Sequence, residues 1–419
     1  MTPGSTLDRL ATGWLVFWLA FIAVYIHFGG LAFAGLAILL GVAGWGVWIA
    51  QGSPDQSSDF IYPAIAFSLF FSWLAISGLW SEAGPTTALR LAAQMAVSIS
   101  IPLLILTRSA WTQTLLSHVL MAMALGGVAV LALDVAAGYG INTFLDPIAA
   151  DGDLNKRQSD AEKNIGRGHV VYATLAPLLI ALFATRLPSH RVGPVILVFL
   201  SLIVIGTTLN RLAIVPIILM AGCLFMVVGY MHPRWGLRVS LGALAGSILF
   251  APLIGIASRW VGPSIMHKLP MSWDHRLRMW DYSLARIAEA PLMGKGLDSS
   301  RNLQDDFTTR IGVDIPFVSL HPHNVGIQTW LETGLIGAVL LSAAIVLLYR
   351  PLLRLCADNR WRFSAVSGLI MAITVAGAVT VGAWQYWWWG LVAISLALVL
   401  LIPEERVLEA DNLLDSEGL

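Results

Sequence analysis

The segment Ser319–Gly337 reads SLHPHNVGIQTWLETGLIG. Two imidazoles, His321 and His323, flank Pro322; the amide of Asn324 follows at once and the carboxyl of Glu332 comes eight residues on. An imidazole titrates near 6.5, so at neutral pH it can take a proton from a hydroxyl. His323 is therefore a candidate general base, and His321 is the second candidate. A helical metal pair prefers histidines at i and i+4. The i, i+2 spacing across a proline fits that poorly, so no metal site is read here. Asn324 and Glu332 stand where they could orient the helix or the imidazole. Gly334 and Gly337 form a small face that lets another helix approach. The alternative is a pair of polar residues at a membrane interface with no chemical role.

Three arginines could bind an anion. Arg211 sits in GTTLNRLAIVPI, between two apolar runs joined by almost no loop. An arginine near the hydrocarbon boundary is costly and usually has a partner or a function. Its guanidinium can fork two phosphate oxygens, although a snorkelling anchor is the alternative. Arg90, in TTALRLAAQM, invites the same reading. Arg276 opens a segment, DHRLRMWDYSLARIAEAPLMGKGL, in which Leu277, Trp280, Leu284 and Ile287 recur at helical spacing. This predicts an amphipathic helix lying in the interface with its apolar stripe down. Arg276 is one turn from Trp280. Arg278 and Arg286 fall elsewhere around the helix, where a solvated charged face explains them. Pro291 ends the helix, and Gly294 and Gly296 turn the chain.

These groups need elements to hold them. The 419 residues are 57% hydrophobic and 12% charged, with mean hydropathy +0.75. Soluble proteins carry about 25% charged residues. Runs of about 20 apolar residues suffice to cross a bilayer as helices, whereas a β-barrel would show alternating segments of about ten. The expectation is an all-α, polytopic integral membrane protein with about twelve transmembrane helices, forming a single membrane domain over 1–419. The expected spans are roughly 11–28, 31–50, 60–79, 86–107, 113–137, 169–186, 193–208, 212–230, 237–257, 325–349, 363–382 and 385–402. The first run reads as a retained helix rather than a signal peptide. Two long polar loops interrupt the spans, at 138–168 and 258–323.

With the N-terminus inside, eleven arginines fall in inner short segments (9, 108, 186, 191, 234, 238, 350, 354, 360, 362 and 406). Only Arg90 and Arg211 fall in outer ones. That excess places both termini in the cytoplasm and both long loops outside.

The formal net charge is zero, so nothing draws the chain to nucleic acid. Cys223 and Cys356 match no metal or disulfide pattern. Neither a P-loop nor a dinucleotide fingerprint is present, which disfavours a nucleotide-driven pump or a cofactor enzyme. Asp151-Gly152-Asp153 spells a D-x-D pattern used by metal-dependent sugar transferases, but a solvated turn accounts for it as well. The run Trp384–Trp389 reads as an aromatic belt at the headgroups.

His323-Asn324 followed by Glu332-x-Gly334-x-x-Gly337 resembles the signature of the O-antigen ligase and polymerase superfamily. Thr208-Leu209-Asn210-Arg211 looks like that family's serine-rich S-x-S-R turn, with the arginine kept and the serines changed. Arg276-x-x-x-Trp280, then Pro291 and Gly294-x-Gly296, is similar to its R-x-x-x-W and P-x-x-G-x-G elements. The resemblance implies a GT-C-like, metal-independent, inverting glycosyltransferase with no cofactor, whose long, partly helical loop lies in the periplasm of a Gram-negative cell. The donor it implies is a polyprenyl-diphosphate-linked O-antigen, and for a ligase the acceptor is lipid A–core. His323 would be the base, and Arg211, Arg276 and Arg90 would hold the diphosphate. His321, Asn324, Glu332, Arg278 and Trp280 would support them. Polymerases and protein O-oligosaccharyltransferases of the superfamily are alternatives. A lipid-linked glycan transporter is the alternative from another class.

Overall fold

A computed structural model describes residues 6–50, 58–106, 113–145, 154–266, 268–303, 305–357 and 359–403. The helices in chain order are α1 (Thr6–Ala20), α2 (Ile22–His27), α3 (Phe33–Ala50), α4 (Ile61–Ser77), α5 (Pro85–Leu106) and α6 (Gln113–Ala136). They continue with α7 (Gly140–Leu145), α8 (Leu154–Arg186), α9 (Ser189–Leu209), α10 (Ile214–Met231), α11 (Pro233–Leu249), α12 (Ala251–Ser258), α13 (Pro263–Met266) and α14 (Met271–Glu289). After a small hairpin come α15 (Val325–Leu347), α16 (Tyr349–Leu355), α17 (Arg360–Val379) and α18 (Tyr386–Leu398). The protein is all-α in character and built from apolar helices, as a chain must be when hydrocarbon offers its backbone no partner.

Each of the twelve segments expected to span carries helix. Among the described residues, seven helices are long and apolar enough to cross a membrane, or eight when α11 and α12 are taken as one bent pair. The α11–α12 bend is 62°. It turns α12 into a shelf on which α14 rests.

At the centre, α8, α10 and α17 pack closely through small residues. A side-chain atom on Gly222 would meet Pro177, Ala372 and Gly368, and one on Gly229 would meet Phe363 and Ser367. Small faces of this kind let helices approach where lipid supplies no hydrophobic drive. Cys223 and Cys356 are free thiols.

Three features depart from the sequence reading. The first outer loop, expected over 138–168, is largely helix: α7 occupies part of it, and α8 begins at Leu154, well before the apolar run. LNKRQSDAEKN is polar but rich in good helix formers, so hydropathy misses what propensity allows. The second loop holds a two-stranded antiparallel hairpin, β1 (Asp306–Thr308) with β2 (Asp314–Pro316), in the register Phe307↔Ile315. Finally, α14 lays its apolar stripe on protein. Trp280 and Ile287 pack with Ala251, Ile327 and Leu331, against α12 and α15.

Candidate functional site

The site gathers at the C-terminus of α17. The last carbonyls of a helix lack partners inside it, and this end of the dipole favours donors and cations. Three successive carbonyls there each take a donor from another element. Asn324 Nδ2 donates to Ala378 O at 2.9 Å, Arg276 Nε to Val379 O at 3.0 Å, and His323 Nδ1 to Thr380 O at 2.9 Å. Asn324 also caps α15, its Oδ1 accepting from Ile327 N at 2.9 Å. That side-chain cap is why the helix begins immediately after the histidines.

The imidazoles differ in what they have left. A carbonyl can only accept, so the Thr380 bond puts the neutral His323 proton on Nδ1 and leaves Nε2 as an acceptor. Among the described residues no group bonds that Nε2. Both His321 nitrogens are engaged: Nδ1 accepts from His323 N at 3.2 Å, and Nε2 lies 3.1 Å from the Gln385 amide. The two rings meet edge-on with centroids 4.4 Å apart. His323 has φ +51°, a left-handed conformation that typically costs a non-glycine residue about 1–2 kcal/mol. Trp280 holds this turn by donating from Nε1 to Pro322 O at 2.9 Å.

Burial pulls His323 down to about 4, the Thr380 carbonyl opposes this, and the charges of Arg276, His275 and Arg167 add to the lowering. His321 is pulled down to about 3, again by burial first, then by His323, Arg301, Arg167 and Arg276. Burial likewise lowers Arg276, whose guanidinium lies over the Trp273 ring at 5.7 Å and donates from Nη1 to Ser272 O at 2.9 Å. Its Nη2 has no partner among the described residues.

The other arginines lie in different settings. Arg211 stands on the turn between α9 and α10 with φ +55°. It is exposed, and its side chain has no polar partner among the described residues. Next to it, a Cβ on Gly166 of α8 would lie 3.7 Å from Leu212 and 3.8 Å from Asn210 Nδ2. Arg90 is exposed in the second turn of α5 and has no polar partner among the described residues. Arg278 is spent on structure: its Nε bonds Asp274 Oδ1 at 3.2 Å and its guanidinium covers the Phe307 ring at 5.4 Å, pinning the hairpin to α14. Asp151 and Asp153 lie outside the described residues. Among the described residues no cluster of three His, Cys, Asp or Glu could hold a metal.

Glu332 does not reach either imidazole. Fully buried, it accepts from Asp298 N, from Trp384 Nε1 at 2.5 Å and from Gln328 Nε2 at 3.0 Å. It thus fastens the PLMGKGLD stretch and the start of α18 to α15. Gly334, two residues on, breaks α15 with φ +65° and ψ −165°. The break exposes backbone groups that the stretch then satisfies. Lys295 N donates to Leu331 O at 2.9 Å, Gly296 N to Glu332 O at 2.8 Å, Leu335 N to Pro291 O at 2.9 Å and Ile336 N to Leu292 O at 3.2 Å. A side chain on Gly334 would collide with the Leu292 carbonyl, and one on Gly294 with the backbone at Glu332–Thr333. The glycines therefore permit a docked loop, where the sequence suggested a helix-approach face. Nor is Trp384 part of a headgroup belt; it is 5% exposed and committed to Glu332.

Sequence reasoning missed Arg167, Arg301, His275 and Gln385. His275 Nε2 bonds the carbonyls of Pro316 and Phe317, both at 3.1 Å. Arg167 went unseen because the span was expected to begin at 169.

Residues 196–342 match the family described as O-antigen ligase. That interval includes Arg211, Arg276, His323 and Glu332, and excludes Arg90 and Arg167. A protein named "Putative polysaccharide ligase" from Rickettsia bellii is 25% identical over 255 residues, covering 60% of each chain. Similarly named proteins are 27% identical in Rickettsia conorii, over 46% of each chain, and 26% identical in Rickettsia felis, over 46% of this chain and 47% of that one. The chain thus aligns with about half the length of these curated relatives. These matches support an O-antigen ligase-family assignment for the segment they cover.

Proposed function

We propose that this protein is an O-antigen ligase. It moves a glycan from a polyprenyl-diphosphate carrier to a sugar hydroxyl of lipid A–core, at the periplasmic face of a Gram-negative inner membrane. The observation that carries the reading is the hub at the end of α17. There an imidazole with Nε2 open and a guanidinium with Nη2 open hang from adjacent carbonyls, Thr380 O and Val379 O.

The chemistry follows from that pairing. The acceptor oxygen attacks the anomeric carbon from the face opposite the diphosphate. A new C–O bond forms there, the bond to the diphosphate oxygen breaks, and the configuration inverts. The hydroxyl proton passes to His323 Nε2. The leaving polyprenyl diphosphate carries off the electron pair, and its growing charge is met by Arg276, with Arg211 and Arg90 as further donors. Charge stabilisation of this kind is strongest where the donors are fixed before reaction. Arg276 is so fixed; Arg211 and Arg90, exposed and without a polar partner among the described residues, would engage when the lipid arrives. The Thr380 carbonyl holds the correct tautomer of His323 and steadies the imidazolium that forms. The bond broken is already activated, so no nucleotide is needed outside the cell. In this reading no metal takes part.

The test is a two-lipid reconstitution. Purified protein, polyprenyl-diphosphate O-glycan and rough lipopolysaccharide are mixed with chelator, and products are read on a gel. Glycan should move onto lipid A–core, and His323→Ala should lose roughly 10²–10⁴-fold in rate. Growth of glycan on its own carrier would make the protein a polymerase. Folded protein that transforms neither lipid would leave the transporter.

A further inference from the structure

Helix α8 carries an arginine that makes no salt bridge among the described residues. Arg167 is half-buried, and among the described residues its only hydrogen bond runs from Nη1 to Asn164 Oδ1 at 3.1 Å. The Asp160 carboxylate, whose charge favours the Arg167 cation, is itself bonded to Lys163 at 3.1 Å, so the half-buried guanidinium keeps capacity for a further anion. Beside it lies a second unmet donor. Asn210 is 5% exposed and its Oδ1 accepts from Tyr139 OH at 2.6 Å, yet among the described residues its Nδ2 has no partner. That Nδ2 faces α8 at Gly166, one residue from Arg167 and one residue from Arg211. The charge of Arg167 also reaches both imidazoles. An acceptor-rich, negatively charged group between Arg167 and the imidazoles, whose environment Arg276 shares, would meet the open guanidinium donors.

Behind Arg167 runs a buried chain of polar groups. Asn164 Nδ2 donates to Asn142 Oδ1 at 3.5 Å, and Asn142 Nδ2 donates to His27 O at 2.9 Å. The Asp134 carboxylate accepts from Ile141 N at 2.7 Å and Asn142 N at 2.9 Å, and lies 3.0 Å from His27 Nε2. Asn142 and Asp134 are wholly buried. A Cβ on Gly29 would lie 3.1 Å from Asn164, so the turn after α2 also braces that side chain. Asn164 is thus oriented from two sides, with its oxygen toward Arg167 and its amide nitrogen toward Asn142.

We propose that Arg167 is a further diphosphate-binding residue of this site, and that Asn164, held by Asn142 and the Asp134–His27 pair, is its positioning residue. The inference rests on the donor reading given above. It extends the site onto α8, outside the segment that matches the family.

The test uses the full chain in lipid nanodiscs and farnesyl diphosphate as the probe, with farnesol as the control lacking the diphosphate. Wild type binds the diphosphate and not the alcohol. Arg276→Ala and Arg167→Ala each weaken binding roughly tenfold or more, as expected for loss of a charge-assisted contact. Arg167→Lys recovers part of it. Asn164→Ala weakens binding in the wild-type background and has no further effect beside Arg167→Ala, a non-additivity that a general structural defect would not produce. Arg167→Gln replaces the alanine variant if that one fails to fold. Unchanged affinity in the Arg167 variants, with Arg276→Ala defective, overturns this inference and leaves the donor reading standing. An additive Asn164→Ala effect overturns the positioning role. Equal binding of diphosphate and alcohol by wild type overturns the donor reading and this inference with it.

Discussion

Replacing Glu332 tests the division of labour between support and chemistry. Three nitrogen donors reach the carboxylate, Asp298 N and Trp384 Nε1 at Oε2 and Gln328 Nε2 at Oε1, with the Ser300 hydroxyl beside it. A glutamine there can keep its oxygen toward Asp298 and Trp384. Its amide nitrogen then faces the Gln328 amide nitrogen. Gln328 cannot rotate to relieve this, because its Oε1 accepts from Ala383 N at 2.7 Å. One buried donor pair is left unmatched, which costs about 1–3 kcal/mol. Glu332→Ala orphans all three donors, roughly 3–9 kcal/mol on the same scale, against a typical total of about 5–15. Glu332→Gln should therefore accumulate with a lowered unfolding temperature, and Glu332→Ala should scarcely accumulate at all. Measured by thermal unfolding in detergent alongside the two-lipid assay, folded Glu332→Gln should keep the wild-type pH profile. A glutamine variant that unfolds at the wild-type temperature yet loses about a hundredfold in turnover would refute this reasoning and make the carboxylate part of the chemistry.

Four further outcomes follow from the geometry. Since burial holds His323 near 4, the base is neutral at every pH well above that. The acid limb of kcat/KM should lie well below the ordinary imidazole value of about 6.5, with activity lost as pH falls; a limb at 6.5 or higher would contradict the buried geometry. The same lowering makes the unfolded chain take up protons first. The stability it confers is complete above about 6.5 and is lost as pH falls toward 4, which unfolding temperatures at pH 7.5 and 5 would show. Arg211→Lys keeps the charge and loses the fork. Transfer should fall severely with little loss of folded protein, and near-normal transfer would rule out bidentate binding. Gly334→Ala should abolish folded protein, while Gly126→Ala, with open space around it, should be silent in expression and unfolding temperature.

The sequence shows the helices well because lipid permits little else: each apolar run became helix. It fails where apolarity and helicity part company. Residues 154–168 are helical without being apolar, and reading them as loop hid Arg167 at the start of the buried stretch. His323, Asn324 and Arg276 were legible because residue type and local spacing carry their signal. What they touch was not, since Val379 and Thr380 lie more than fifty residues away. Glu332 shows the same limit: its partners come from the stretch before the hairpin and from the start of α18.

The broken α15 also fixes a height. Its two halves meet at Gly334, where the exposed amides and carbonyls are already taken by residues 291–296. Such a joint cannot straighten or flex without stripping four backbone bonds. The half that follows the histidine turn is thereby locked at one height relative to the other half of the helix. On the function proposed above, both lipid substrates would drift in the plane of the membrane, their phosphates and sugars held at set depths by their own tails. For them, meeting the imidazole is a two-dimensional search, and the Gly334 joint sets the plane in which it succeeds.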